Sequence, residues 1–304
     1  MIINQAAIND IYSSFNTVFN KTLEETTVLH PKIAMEVPSE ASDENYGWLG
    51  SMPSMREWVG DRQIRNVAVH TYAIKNKLFE KTISVSRNDI EDDRIGVYKP
   101  MFQDLAEGAR KLPDKLVFGL LPRAFADLCY DKKPFISNVH PYLYSITKSG
   151  KTQSNKGTDK LTPDSYGIAR AAMMSLTNDE GEPLYIIPDL LVVSPQNDAA
   201  ARRIAYAELI NNETNIYKGT AEVLVAPELV NNPDMWFLLC TSKAIKPFIF
   251  QNRRKPALVA KTAANDDNVF FGNEYLYGVD TRCNAGCGLW QLAYGSDGTT
   301  TGGV

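Results

Sequence analysis

Apolar and polar positions follow two rhythms along this chain. Near its start, Ile8, Ile11, Tyr12, Phe15, Val18 and Phe19 recur three or four residues apart, while Asn9, Asp10, Ser13 and Asn16 fill the other face. That period predicts an amphipathic helix. Its apolar face has two possible destinations, the chain's own domain or a partner. The rhythm shortens between residues 64 and 86, where "VAVHTYAI" and "KTISVS" are rich in β-branched and aromatic side chains. These read as two strands with "KNK" as the turn between them. Ser86 then stands ready to cap a helical turn through "RNDIEDD", whose acids suit a helix N-terminus. A long helix is predicted over residues 100–121, on Phe102, Leu105, Ala109, Leu112, Leu116 and Leu120. Pro113 falls inside it, removes a backbone donor and predicts a kink, at ~3 kcal/mol unless packing compensates.

Residues 46–64, "YGWLGSMPSMREWVGDRQI", fit neither rhythm. They hold two of the four tryptophans among Gly47, Gly50, Pro53 and Gly60. Such punctuation reads as loop or irregular strand, yet tryptophan is a residue that buries large area. Residues 148–160, "KSGKTQSNKGTDK", are polar and basic and read as a linker at the main domain boundary. Beyond them, Thr162-Pro163 opens the helix "DSYGIARAAMMSL", and Ser194-Pro195 repeats that signature before "QNDAAARRIAYAELI". "YIIPDLLVVS" is a strand pair or one bent strand. "TAEVLVAPEL", "MWFLLCT", "KPFIFQ", "NEYLYGVDTR" and "GLWQLAYG" are further strands, and "SDGTTTGGV" reads as a loose tail.

At 304 residues the chain has room for about two domains. A formal net charge of -4 gives no bulk electrostatic reason to bind nucleic acid or an anionic membrane. The N-terminus lacks a basic region followed by an apolar run, and no stretch approaches ~18 consecutive apolar residues. The cysteines, Cys129, Cys240, Cys283 and Cys287, are few and scattered, as in a cytosolic protein with reduced thiols. Cys283 and Cys287 resemble half a zinc site, but no second Cys or His pair stands near at ligand spacing.

Candidate chemistry is sparse. His30, His70 and His140 sit in no catalytic motif, and His140 precedes Pro141 in a turn context. There is no nucleophile elbow and no H-E-x-x-H. Glu91, Asp92 and Asp93 lack calcium-loop spacing and read as a solvated helix start. "SGKT" at residues 149–152 lacks the upstream glycine of a phosphate-binding loop. Lys132-Lys133, Arg202-Arg203 and Arg253, Arg254, Lys255 read as surface charge or as salt bridges to a partner. What the pattern offers instead is projecting elements suited to contact.

Several segments together resemble the Mu-like phage major head (capsid) protein family. They are "IAMEV" followed by "YGWLGSMPSMREWVGDR", then "FEKTISVSRNDIEDDRIGVY", "CYDKKPF" with "HP" after it, "WFLLCTSKAIKPFIFQ", and "YLYGVDTRCNAGCGLWQLAYGS". They span nearly the whole chain in the family's order. The resemblance implies an α+β chain with the Hong Kong 97-type capsid fold. Residues 1–45 would be an N-terminal arm, 46–82 an extended β-hairpin loop, and 83–160 a peripheral domain with a long spine helix. Residues 161–304 would be an axial α/β domain with returning peripheral strands and a flexible tail. It implies a major capsid protein of a tailed phage or prophage, forming hexamers and pentamers of an icosahedral shell around double-stranded DNA. An encapsulin-like cellular compartment is the alternative. No enzymatic activity, cofactor, metal or membrane is implied.

Expected partners are further copies of the chain, a separate scaffolding protein, a portal protein, a decoration protein and the packaged DNA. The expected location is the virion shell, assembled in the host cytoplasm. On this reading Trp48 and Trp58 bury on an adjacent subunit, with Arg56, Glu57, Asp61 and Arg62 as the polar rim. Phe15 and Phe19 supply further contact from the arm, and residues 38–45 and Pro113 act as hinges. The other destination for the two tryptophans is their own subunit.

Overall fold

The protein is described by a computed structural model over residues 5–47, 49, 72–92, 94–142, 150–179 and 181–300. Helices run over Gln5–Glu25 (α1), His30–Ile33 (α2), Arg87–Glu91 (α3), Lys99–Phe118 (α4), Pro163–Met174 (α5), Asp198–Tyr206 (α6) and Asp267–Gly272 (α7). The first strands are Ala34–Pro38 (β1), Asp43–Asn45 (β2), Ala73–Lys75 (β3), Lys77–Ser86 (β4), His140–Pro141 (β5), Thr152–Gln153 (β6) and Lys156–Asp159 (β7). They are followed by Leu190–Val193 (β8), Leu209–Ile210 (β9), Glu213–Thr214 (β10), Glu222–Val225 (β11) and Trp236–Leu239 (β12). Phe248–Lys261 (β13), Glu274–Cys287 (β14) and Ala293–Thr300 (β15) complete the set.

Two larger sheets organise this α+β chain. One has the order β11-β8-β12-β15-β7. Its central strands read "LLVV" and "WFLL" and are buried at every position, the continuous apolar signature of a strand covered on both faces. α6 packs on β11 and β8, and α5 on β15. The Thr162-Pro163 signature holds: the Ser165 N–H donates to Thr162 Oγ1 at 3.1 Å, and the Thr162 N–H donates to Ser165 Oγ at 2.9 Å. This reciprocal pair satisfies donors that the first helical turn leaves open.

The other sheet, β1-β13-β14-β4, is a long ribbon. β13 and β14 are each 14 residues long and pair antiparallel, with α7 at their tip. The start of β13, Phe248 to Phe250, belongs to the core beneath the five-stranded sheet. The far end of the ribbon, with Leu258, Tyr275 and Tyr277, belongs to a second core under α1 and α4. There Phe15 stacks on Phe102 with centroids 3.9 Å apart, and Tyr277 meets both rings edge-on at 5.4 and 5.2 Å. α4 runs through Pro113 to Phe118.

Three sequence expectations are corrected. "KNK" is not a hairpin turn, because β3 pairs with β2 while β4 pairs with β14; Asn76 is where the chain changes sheets. The expected linker is built into the structure: β7 is the parallel edge partner of β15, and Asn155 is buried. Its polar composition reflects an edge strand and a buried amide with many partners, not a free tether. The expected loose tail is strand as far as Thr300.

Candidate functional site

The tryptophan-bearing excursion leaves and returns at one point. Residues 43–45 pair antiparallel with 73–75, and the Tyr46 N–H donates to the Tyr72 carbonyl at 2.8 Å. Behind this root lies a buried amide chain. Tyr46 Oη donates to Gln251 Oε1 at 2.9 Å, and Gln251 Nε2 donates to the Ile74 carbonyl and to Asn76 Oδ1 at 3.1 and 2.7 Å. Asn76 Nδ2 donates in turn to Ser39 Oγ and the Ala41 carbonyl at 2.8 and 2.9 Å. Burial pushes the Tyr46 phenol up to about 12, so it stays a donor. Tyr72 Oη accepts from the Cys287 N–H at 2.8 Å. Gly286 makes this approach possible: a Cβ there would lie 2.6 Å from Ile74 Cδ1 and 2.9 Å from Tyr72 Oη. Buried polar groups that are all paired fix a single arrangement, so the root is a rigid base for whatever the excursion reaches.

Of the expected contact residues, Trp48, Arg56, Trp58, Asp61 and Arg62 lie outside the described residues. Phe15 and Phe19 are 2% and 0% exposed. The apolar face of α1 is spent on the chain's own α4 and ribbon, and Tyr12 Oη donates to the Leu258 carbonyl at 2.8 Å. The two phenylalanines are thus buried within their own subunit, which corrects their reading as anchors on a neighbour.

The chain also gathers a cluster that reading along the sequence passed over. Cys129 Sγ donates to Asp131 Oδ1 at 2.9 Å, and Asp131 Oδ2 lies 2.6 Å from His140 Nδ1. Asn155 fixes the other side of the ring. Its Nδ2 faces the carbonyls of Phe135, Trp290 and Ala293, so its Oδ1 is the acceptor for His140 Nε2 at 3.1 Å. Both ring nitrogens therefore face acceptor oxygens. The ring stacks on Trp290 at 3.9 Å and 3°. Burial pushes the Asp131 carboxyl up, but the His140 hydrogen bond and charge outweigh it and hold the group below its ordinary value. Burial and the Asp131 charge push the Cys129 thiol well up.

This is not a nucleophilic site. A Cys–His pair needs the thiol to hand its proton to the imidazole, and here Asp131 stands between them. Among the described residues these three form the one group that brings Cys, His or carboxylate ligand atoms together within 4.8 Å. Ligands around one zinc ion stand roughly 3.3–3.7 Å apart given its bond lengths, whereas these atoms are at hydrogen-bonding separation, and the thiol is protonated. The fit is to a proton network. The legible signal was Cys129-x-Asp131 with His140 nine residues on, in "CYDKKPFISNVHP".

The other candidates are structural as well. Cys283 and Cys287 lie four apart on β14, which separates them by ~13 Å along a strand and prevents a shared ion. Burial raises their thiols to about 11 and about 12. His30 Nδ1 lies 2.7 Å from Asp114 Oδ1, and the Leu29 and His30 N–H groups donate to the same carboxylate. Burial raises the Asp114 carboxyl, and these bonds together bring it below its ordinary value. The pair ties α2 to α4. His70 lies outside the described residues.

Comparison with known proteins was made against this geometry. The profile of the family described as Mu-like prophage major head subunit gpT matches residues 8–163, 156–229 and 230–302. The chain is similar to the major capsid protein of Escherichia phage Mu, 33% identical over 301 residues, covering 99% of this chain and 77% of that one. Its structure is similar to a subunit of the procapsid of bacteriophage JBD30, with a TM-score of 0.65 and 31% identity, covering 97% of this chain and 76% of that one. It is also similar to the SrpI encapsulin of Synechococcus elongatus, with a TM-score of 0.50 and 11% identity, covering 90% and 88%.

Proposed function

This chain belongs to the Mu-like prophage major head subunit family, and from that membership we propose how it builds a shell. It is a major capsid protein of a tailed phage, with the Hong Kong 97-type fold, and it works as many copies in a virion shell. The near full-length match to the Mu major capsid protein carries this conclusion.

Copies form hexamers and pentamers by repeating one set of contacts in closed arrangements. The 46–72 excursion, held at its root by Tyr46, Tyr72 and Gln251, crosses to an adjacent copy. Trp48 and Trp58 bury there, with Arg56, Asp61 and Arg62 setting register; aromatic anchors of this kind are worth ~2 kcal/mol or more each when they are hot spots. The arm, the peripheral region around α4 and the axial region around the five-stranded sheet are the working parts. A scaffolding protein, a portal protein and a decoration protein join the assembly in the host cytoplasm. Packaged double-stranded DNA is contacted without sequence reading, in keeping with the net charge of -4. The role is structural and not enzymatic: the protonated Cys129 and the engaged His140 support that reading. The encapsulin likeness, at 11% identity, speaks for the fold alone.

Sedimentation of the purified chain with its scaffolding protein tests this reading. Megadalton particles that hold DNA when packaged support it, and a persistent folded monomer refutes it.

A further inference from the structure

The tip of the β13–β14 ribbon holds two phenyl rings in water. Phe270 and Phe271 are 75% and 81% exposed and meet each other edge to face, with centroids 4.9 Å apart. Aromatic side chains bury 150–250 Å² each when they pack, so leaving an adjacent pair exposed marks a surface built for contact. Asp266, Asp267 and Glu274 flank the pair, which makes the tip acidic as well as apolar.

The same chain carries a matching recess. Where α4 crosses β4 and β14, an open groove of about 450 Å³ is lined by Phe79, Leu105, Leu112 and Val279, and its rim carries three lysines, Lys81, Lys111 and Lys115, against one carboxylate, Glu80. Lys111 reaches Glu107 at 3.5 Å across the helix surface. Lys115 has no carboxylate within ion-pair distance among the described residues. A dry cavity of about 150 Å³ accepts one benzene, so this groove has room for both rings. The tip cannot fold into the groove of its own chain. Glu274 and Val279 are five residues apart on one paired strand, which places roughly 17 Å of ribbon between tip and groove.

We infer that the acidic, phenyl-bearing tip of one copy seats in the lysine-rimmed groove of a second copy. The occupant is another copy because both halves of the complementary pair, apolar to apolar and carboxylate to ammonium, are present on one chain. Such a contact joins different surfaces of the two partners, so it continues from copy to copy and closes when the rotation allows. The inference rests on the capsid reading and adds to it a contact independent of the 46–72 excursion.

A cysteine pair tests it in assembled particles. Gly108 lies in the groove, and a Cβ there meets nothing within 4 Å; the native cysteines are buried. Gly108→Cys combined with Phe271→Cys, oxidised in particles, is expected to give a ladder of covalent multimers, with each single variant remaining monomeric. A double variant without the ladder, or dimers from Phe271→Cys alone, overturns the inference. Wild-type chain that forms no particles is instead a failure of the capsid reading, visible before any cysteine is introduced. Charge exchange gives a second route should the cysteine variant fail to fold. Asp267→Lys and Lys115→Glu are each expected to lower particle yield about tenfold through like-charge contact, and their combination to restore it. A combination no better than the worse single variant overturns the inference too.

Discussion

Tyr46 donates its main-chain N–H to the carbonyl of Tyr72 at 2.8 Å, although 26 positions separate them in sequence (72 − 46). This one bond, backed by the β2–β3 ladder, brings both ends of the tryptophan-bearing excursion to one place on the subunit. The phenol of Tyr46 continues inward to Gln251, and the phenol of Tyr72 caps the Cys287 N–H.

Gln251→Leu removes the amide at the centre of the root. It removes the acceptor of the Tyr46 hydroxyl and the donor to the Ile74 carbonyl and to Asn76 Oδ1, at about 1–3 kcal/mol for each group left unsatisfied. The expected result is a loss of roughly 2–4 kcal/mol in denaturant unfolding, together with a lower yield of particles. Wild-type stability would show that the amide chain does not hold the root.

Phe15→Ala reports whether α1 serves its own subunit. The ring is stacked on Phe102 and fully inside the chain, so truncation is expected to cost ~3–5 kcal/mol of subunit stability. A variant that unfolds like wild type but fails only in assembly would return Phe15 to the intersubunit surface.

The Cys129–Asp131–His140 cluster predicts a defined response to acid. The Asp131 and Asp114 carboxyls are held below their ordinary value. Their stabilisation is therefore complete above the unfolded carboxyl pKa of ~3.9 and is lost as pH falls through the lower folded value. Asp131→Asn is expected to destabilise at neutral pH by ~3–5 kcal/mol, because it removes the carboxylate that pairs with the buried His140 ring and the Cys129 thiol, and to flatten the acid limb of a stability–pH curve. An acid limb as steep as in wild type would contradict this pairing.

Thiol labelling checks the same interior. Cys129, Cys283 and Cys287 are buried and their thiols raised. They are expected to react with a disulfide reagent at pH 8 at least about a hundredfold more slowly than free thiol, since the thiolate is the reactive form, and to react fully on unfolding. Fast labelling of Cys129 would mean the cluster is open to solvent.

How legible all this was depended on periodicity. α1 and α4 were visible because their apolar faces repeat at helical spacing, and α5 because Thr162-Pro163 is a local signature. β8 and β12 were visible as short apolar runs. The far half of β13 was not, because solvent-facing positions such as Arg254 break the apolar run while the ladder to β14 continues. β7 looked like a linker for a similar reason: its stability comes from β15 and from the distant partners of the buried Asn155. The cluster around His140 was hidden because its meaning depends on Trp290 and Asn155, brought in by the fold. Residues 46–64 stand out in the sequence because two tryptophans fall in a segment broken by glycine and proline.

The most direct measurement is cryo-electron microscopy of particles assembled from the purified chain and its scaffolding protein. The account predicts closed shells in which residues 46–72 of each copy lie across an adjacent copy, with Trp58 buried there, and a sharp fall in shell yield for Trp58→Ala. Shells in which that segment folds back onto its own subunit, or a folded chain that never leaves the monomeric state, would contradict it.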